Sequence, residues 1–133
     1  MGLAISLNAP DDALRSSLMP VNDTYPLTEL LDAARRFPCP PRSRITFEYI
    51  LIRDVNDSDR HATALAHLLR TIPCKINLIP FNEHPAVDFC EPAPDRVEAF
   101  QQILQQHRYT APIRYSKGSD IAAACGQLGD RND

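Results

Sequence analysis

Strand-like and helix-like segments alternate along the whole chain, and this order constrains the fold more than any other feature of the sequence. Leu3 to Leu7 is a short apolar run. Arg44 to Ile52 is a longer one rich in β-branched and aromatic residues, and Lys75 to Ile79 and Thr110 to Tyr115 are shorter third and fourth runs. Leu27, Leu30, Leu31, Ala34 and Phe37 recur at helical spacing after Pro26, which suits a first turn. Leu65, Leu68, Leu69 and Ile72 form a second stripe, opened by the capping-type residues Asp57, Ser58 and Asp59 and stopped by Pro73. Val97, Phe100, Ile103, Leu104 and His107 make a third, entered through Pro94 and Asp95. A β-α-β-α-β-α-β order predicts parallel strands joined by right-handed crossover helices, hence an α/β fold: an open three-layer sandwich or part of a (β/α) barrel.

One residue favours the barrel. On the second strand Ile45, Phe47, Tyr49 and Leu51 alternate with Thr46, Glu48 and Ile50, which puts a carboxylate on a face that helices would otherwise cover. A lumen or ligand cleft tolerates it and a dry face does not; the alternative is an edge strand that turns Glu48 to water. The first strand also begins within a few residues of Met1 with nothing before it to pair with, so further chain upstream is expected.

Size and composition narrow the class. The 133 residues predict a single domain, 1–133, and 44% apolar with 23% charged residues is ordinary for a globular protein. Twelve prolines against four glycines mark abrupt stops between elements. A net charge of −3 does not advertise a nucleic-acid partner, although 12 of the 14 basic residues are arginine, the side chain that stacks on bases and forks onto phosphate. No run is long enough to span a membrane, and the start MGLAISLNAP lacks the basic and apolar regions of a signal peptide. Cysteines at 39, 74, 90 and 125 form no CxxC pair or zinc knuckle, which fits free thiols in a reducing cytoplasm.

In parallel α/β folds ligands gather at the carboxyl ends of the strands. Those loops are Ser6 to Pro10, Arg53 to Ser58, Pro80 to Glu83 and Ser116 to Asp120, the last running on to Cys125 and Leu128. Hydroxyl and amide side chains dominate them, which suits a neutral or zwitterionic small molecule better than a pyrophosphate, and Gly118 alone is no phosphate loop. Each residue also has a structural reading. Asn56, Asp57 and Ser58 can simply cap a helix, Asn82 can be a turn residue, and Cys125 before Gly126 can be a small buried group at a helix end. His61, His67, His84 and His107 show no metal spacing, and the first two fall on a helix surface.

The runs LAISLNAPDDALRSSLMPVN, YPLTELLDAARRF, RITFEYILIRDVNDSDRHATALAHLL, CKINLIPFN and KGSDIAAACGQL, in this order, resemble the C-terminal half of the radical SAM RNA methyltransferases of the RlmN and Cfr type. The resemblance covers nearly the entire chain. It implies the C-terminal portion of a partial (β/α)6 barrel and methylation of adenosine carbon 2 in large-subunit rRNA and tRNA (carbon 8 in the Cfr branch). It implies S-adenosylmethionine contacts at Ser6, Leu7, Asn8 and Asn82, and a methyl-accepting cysteine at Cys125. In the family's mechanism that thiolate takes a methyl group from one S-adenosylmethionine, and a radical generated from a second activates it for attack on the adenine ring. An aromatic carbon is too poor a nucleophile for direct polar methylation, so a covalent carrier at the target supplies both proximity and a new reaction path.

The chain departs from the family pattern in several places. The [4Fe-4S] cluster that the family implies needs a C-x3-C-x2-C loop, and its ligands are absent from this sequence, as is the second cysteine that releases the product. Asparagine stands at position 8 where the family usually has histidine, and lysine at 117 where arginine is usual. The sequence therefore predicts a piece that is inactive alone. Its expected partners are rRNA, tRNA and a separate N-terminal half-barrel chain carrying the cluster. The alternatives are a non-catalytic half-barrel that binds RNA or a partner chain, and an unrelated thiol enzyme built on Cys125.

Overall fold

The computed structural model describes residues 3–19, 26–36, 45–82 and 88–115. Its elements are β1 (Leu3–Ser6), α1 (Asp12–Leu18), α2 (Leu27–Arg36), β2 (Ile45–Leu51), α3 (Asp59–Leu68), β3 (Cys74–Pro80) and α4 (Pro94–Gln106). The three strands form one parallel sheet in the order β1-β2-β3. Beyond β3 the fourth expected strand is reduced to two parallel bridges, Lys75 to Thr110 and Leu78 to Ile113. Pro112 lies between these contacts, and a residue without an N–H cannot carry a regular ladder.

Strand alternation sorts the two faces. Phe47, Tyr49, Leu51, Ile76 and Leu78 bury against Leu27, Leu31 and Ala34 of α2, Ala62 and Leu65 of α3, and Val97, Phe100 and Leu104 of α4. Three helices thus cover one face of the sheet with the main core. On the other face a smaller cluster joins Ile50, Ile52 and Phe81 to Leu18 and Met19 at the end of α1. The edge-strand alternative for Glu48 is overturned: β2 is the central strand, and Glu48 is half-buried on the face opposite the three helices.

Local signals explain the helix limits. Ser58 caps α3, its Oγ accepting from the His61 N–H at 3.2 Å while His61 Nδ1 reaches back to Ser58. Pro94 occupies the first turn of α4, where a missing N–H costs nothing. Asp11 caps α1 by accepting from the Leu14 N–H at 2.8 Å.

Candidate functional site at the strand ends

The carboxyl end of β1 is held in place by its neighbours. The Leu7 N–H donates to the Glu48 carbonyl at 2.8 Å, extending the ladder one residue, and then Asn8 turns the chain with φ 62°. This left-handed conformation is one that asparagine tolerates better than most side chains. The Asn8 side chain replaces the ladder bond lost at the turn, Oδ1 accepting from the Ile50 N–H at 2.9 Å. Asn56, from the loop after β2, completes the junction. Its Oδ1 accepts from the Ile52 N–H at 2.8 Å, and its Nδ2 donates to the carbonyls of Asn8 at 2.8 Å and Ile50 at 2.7 Å. Both asparagines are fully buried, so this is a joint between two strand ends.

A second clamp comes from α1. Buried Arg15 donates through Nε to the Leu7 carbonyl at 3.1 Å and through its second terminal nitrogen to the Ser6 carbonyl at 3.0 Å. Burial lowers the guanidinium pKa from its ordinary value and nearby Asp12 opposes the shift. A planar fork with fixed donors suits two successive carbonyls. Sequence reasoning passed over Arg15, and the only signal for it is an arginine one turn into a short helix that follows the strand end directly.

These contacts separate the residues implied by the resemblance. Ser6 is half-buried on the face opposite the three helices, whereas the Leu7 side chain lies in the main core and the Asn8 side chain is committed to Ile50. Both residues are fully buried, and the Leu7 N–H, the Leu7 carbonyl and the Asn8 carbonyl are already bonded to Glu48, Arg15 and Asn56. Asn82 is half-buried two residues past the end of β3. Ser6, Leu7, Asn8 and Asn82 thus lie at or just beyond the carboxyl ends of β1 and β3, on either side of β2. Cys125 and Lys117 lie outside the described residues.

The loop after β2 divides its labour. Ser58 is the cap; Asp57 Oδ1 accepts from the Asp54 N–H at 3.1 Å, and Asn56 carries the strand joint, so of the three expected caps only one caps the helix. Buried Tyr49 donates its hydroxyl to the Asn56 carbonyl at 2.8 Å and tilts against Phe100 with ring centroids 5.2 Å apart. Among the described residues no three His, Cys, Asp or Glu side chains come together as a metal site. No helix among them is long and apolar enough to cross a membrane.

A parallel sheet with crossover helices on one face and polar strand ends is the architecture of a radical SAM partial barrel. A radical SAM methyltransferase from Sphaerobacter thermophilus superimposes with a TM-score of 0.85 at 52% identity, covering 96% of this chain and 37% of that one. A domain of a pyruvate-formate lyase-activating enzyme from Bacteroides vulgatus shares the fold, with a TM-score of 0.67 at 22% identity over 85% of this chain and 66% of that one. No protein-family model matches. Among curated proteins, the dual-specificity RNA methyltransferase RlmN of Syntrophus aciditrophicus is 59% identical over 128 residues, covering 96% of this chain and 37% of the relative. RlmN of Geobacter sulfurreducens is 50% identical over 133 residues, covering 100% and 37%. Over nearly its whole length the chain is similar to the C-terminal part of RlmN-type radical SAM methyltransferases. It spans little more than a third of the length of the relatives it matches.

Proposed function

We propose that this chain supplies the S-adenosylmethionine-contacting strand ends and the methyl-accepting cysteine of an RNA methyltransferase that modifies adenosine carbon 2 in large-subunit rRNA and in tRNA. The observation that carries this reading is 50–59% identity to RlmN proteins over nearly the whole chain. Residues 1–133 act as one domain, the C-terminal part of the barrel, and the remaining barrel comes from further chain or from a separate N-terminal half.

The strand ends suit a donor-rich small molecule. Ser6 and Asn82 offer polar side chains, and Asn77 on β3, only 6% exposed, has an Oδ1 with no hydrogen-bond partner among the described residues. A buried acceptor left open in this way calls for a ligand donor. Ser6 and Asn82 bind the cofactor through their side chains, while Arg15, Asn8 and Asn56 fix the loop that presents Ser6. When bound, S-adenosylmethionine supplies a methyl group activated by its sulfonium. Cys125 accepts that methyl as the thiolate: its proton passes to water, a carbon–sulfur bond forms, and the former sulfonium sulfur keeps the electrons of the bond that breaks.

The residues described here do not fit a [4Fe-4S] cluster. Cys74 opens β3 with its thiol pushed up to about 12 by burial, Cys90 is exposed, and no third ligand joins either. No step through a cluster is assigned to this chain, and the radical chemistry falls to residues outside this sequence.

The test joins the chain to the remaining part of an RlmN relative and reads methylated adenosine in rRNA by nucleoside mass spectrometry. Cys125→Ala is expected to abolish methylation, while Cys39→Ala, Cys74→Ala and Cys90→Ala leave most of it. Methylation that survives Cys125→Ala contradicts the carrier assignment.

A further inference from the structure

The register of the sheet brings together three residues from three strands. Ser6 pairs with Glu48, and Glu48 pairs with Asn77, so one level of the sheet carries a hydroxyl, a carboxylate and an amide side by side. The residues flanking each of them, Ile5 and Leu7, Phe47 and Tyr49, Ile76 and Leu78, belong to or pack on the helix-side core. Strand alternation therefore places Ser6, Glu48 and Asn77 on the opposite face. The level above holds the apolar Ile50 and Ile79, and the level below holds Thr46 and Lys75. Glu48 is the one carboxylate that the described strands put on this face, and no salt bridge joins it to Lys75 among the described residues.

Asn77 shows that the row is built to bind. An amide oxygen in a residue 94% buried, with no partner, costs stability that an apolar side chain of similar size would not. A fold keeps such a group where something else supplies the donor. The row offers acceptors from all three strands: the serine hydroxyl, two carboxylate oxygens and an amide oxygen. A phosphate or carboxylate would be repelled by Glu48, whereas a group rich in O–H or N–H donors is matched.

We propose that Ser6, Glu48 and Asn77 form an acceptor subsite for the hydrogen-bond donors of the bound nucleoside cofactor, with Glu48 and Asn77 as specificity-determining contacts. This rests on the S-adenosylmethionine reading given above. Two parts of that molecule carry such donors, the ribose diol and the α-ammonium group.

The experiment measures thermal unfolding of the chain joined to the remaining part of an RlmN relative, and of its two variants in the same joined form, without ligand and with S-adenosylmethionine or 5′-methylthioadenosine. The second compound keeps the ribose diol and lacks the ammonium. Without ligand, Asn77→Leu is expected to melt above the wild type, because it removes an orphaned acceptor, and Glu48→Gln to melt close to it. With ligand, both variants are expected to bind S-adenosylmethionine about tenfold more weakly, the loss expected for a hydrogen bond to a charged or buried acceptor. An equal loss for methylthioadenosine assigns the row to the ribose, and a loss confined to S-adenosylmethionine assigns it to the ammonium. A ligand shift that both variants retain in full overturns the subsite and leaves the cofactor reading standing, as does an Asn77→Leu protein that melts well below the wild type. A wild-type joined protein that neither compound stabilises overturns the cofactor reading and the subsite with it.

Discussion

Asn56 joins β1 to the loop after β2 with three hydrogen bonds that side-chain removal would leave as buried, unmatched backbone groups. Asn56→Ala is expected to cost about 3 kcal/mol in urea unfolding, within the range for breaking a buried polar network. A change below about 1 kcal/mol would show that water replaces the amide. The sequence marked Asn56 as a polar strand-end residue and a candidate helix cap but could not show this role, because its partners Asn8, Ile50 and Ile52 are fixed by register and not by local spacing. The same holds for Leu7 and Asn8: the motif was visible, while the direction of each side chain depended on where β1 stops. The cysteines divide in a similar way. Burial pushes Cys74 up to about 12, and Cys90 is exposed. Iodoacetamide at mildly alkaline pH is therefore expected to label Cys90 quickly and Cys74 only after unfolding. Equal labelling in the folded chain would contradict the placement of Cys74 in β3.

Among the elements, long periodic segments were legible and short or interrupted ones were not. The three apolar stripes became α2, α3 and α4, and the runs around 3–7, 44–52 and 75–79 became β1, β2 and β3. Helix α1 has seven residues, too few for a repeat, and only Leu14 and Leu18 mark its apolar side. Thr110 to Tyr115 has a strand's composition, but Pro112 confines it to isolated bridges. The capping box of α3 gives this level its own test. Burial lowers the His61 pKa, with Arg60 adding to the effect and Asp11 and Asp57 opposing it. Neutral Nδ1 can accept from the Ser58 N–H, and the protonated ring cannot. The unfolded chain then binds more protons than the folded one, so stability is full above the ordinary histidine value near 6.5 and falls as pH drops below it. His61→Gln keeps a side chain able to reach back to the cap and is expected to flatten that decline; an unchanged pH profile would show that His61 does not titrate with folding.

At the scale of the molecule, sheet order decides what the face opposite the helices can do. With β2 central, Glu48 has a strand on each side and its carboxylate lies between Ser6 and Asn77. Three helices close the other face, which leaves the strand ends and the polar level beneath them for a ligand. The barrel class could be argued from alternating segments and one misplaced carboxylate. The cofactor and the carrier came from resemblance, because no spacing of polar residues distinguishes a nucleoside site from a set of caps. The central claim is that Cys125 carries the methyl group, and peptide mass mapping tests it most directly. The chain is joined to the remaining part of an RlmN relative, supplied with S-adenosylmethionine, digested and mapped. The expected result is one added methyl on the peptide containing Cys125 and none on those containing Cys39, Cys74 or Cys90. A methyl group found on another residue, in an enzyme that still methylates adenosine, would contradict the account.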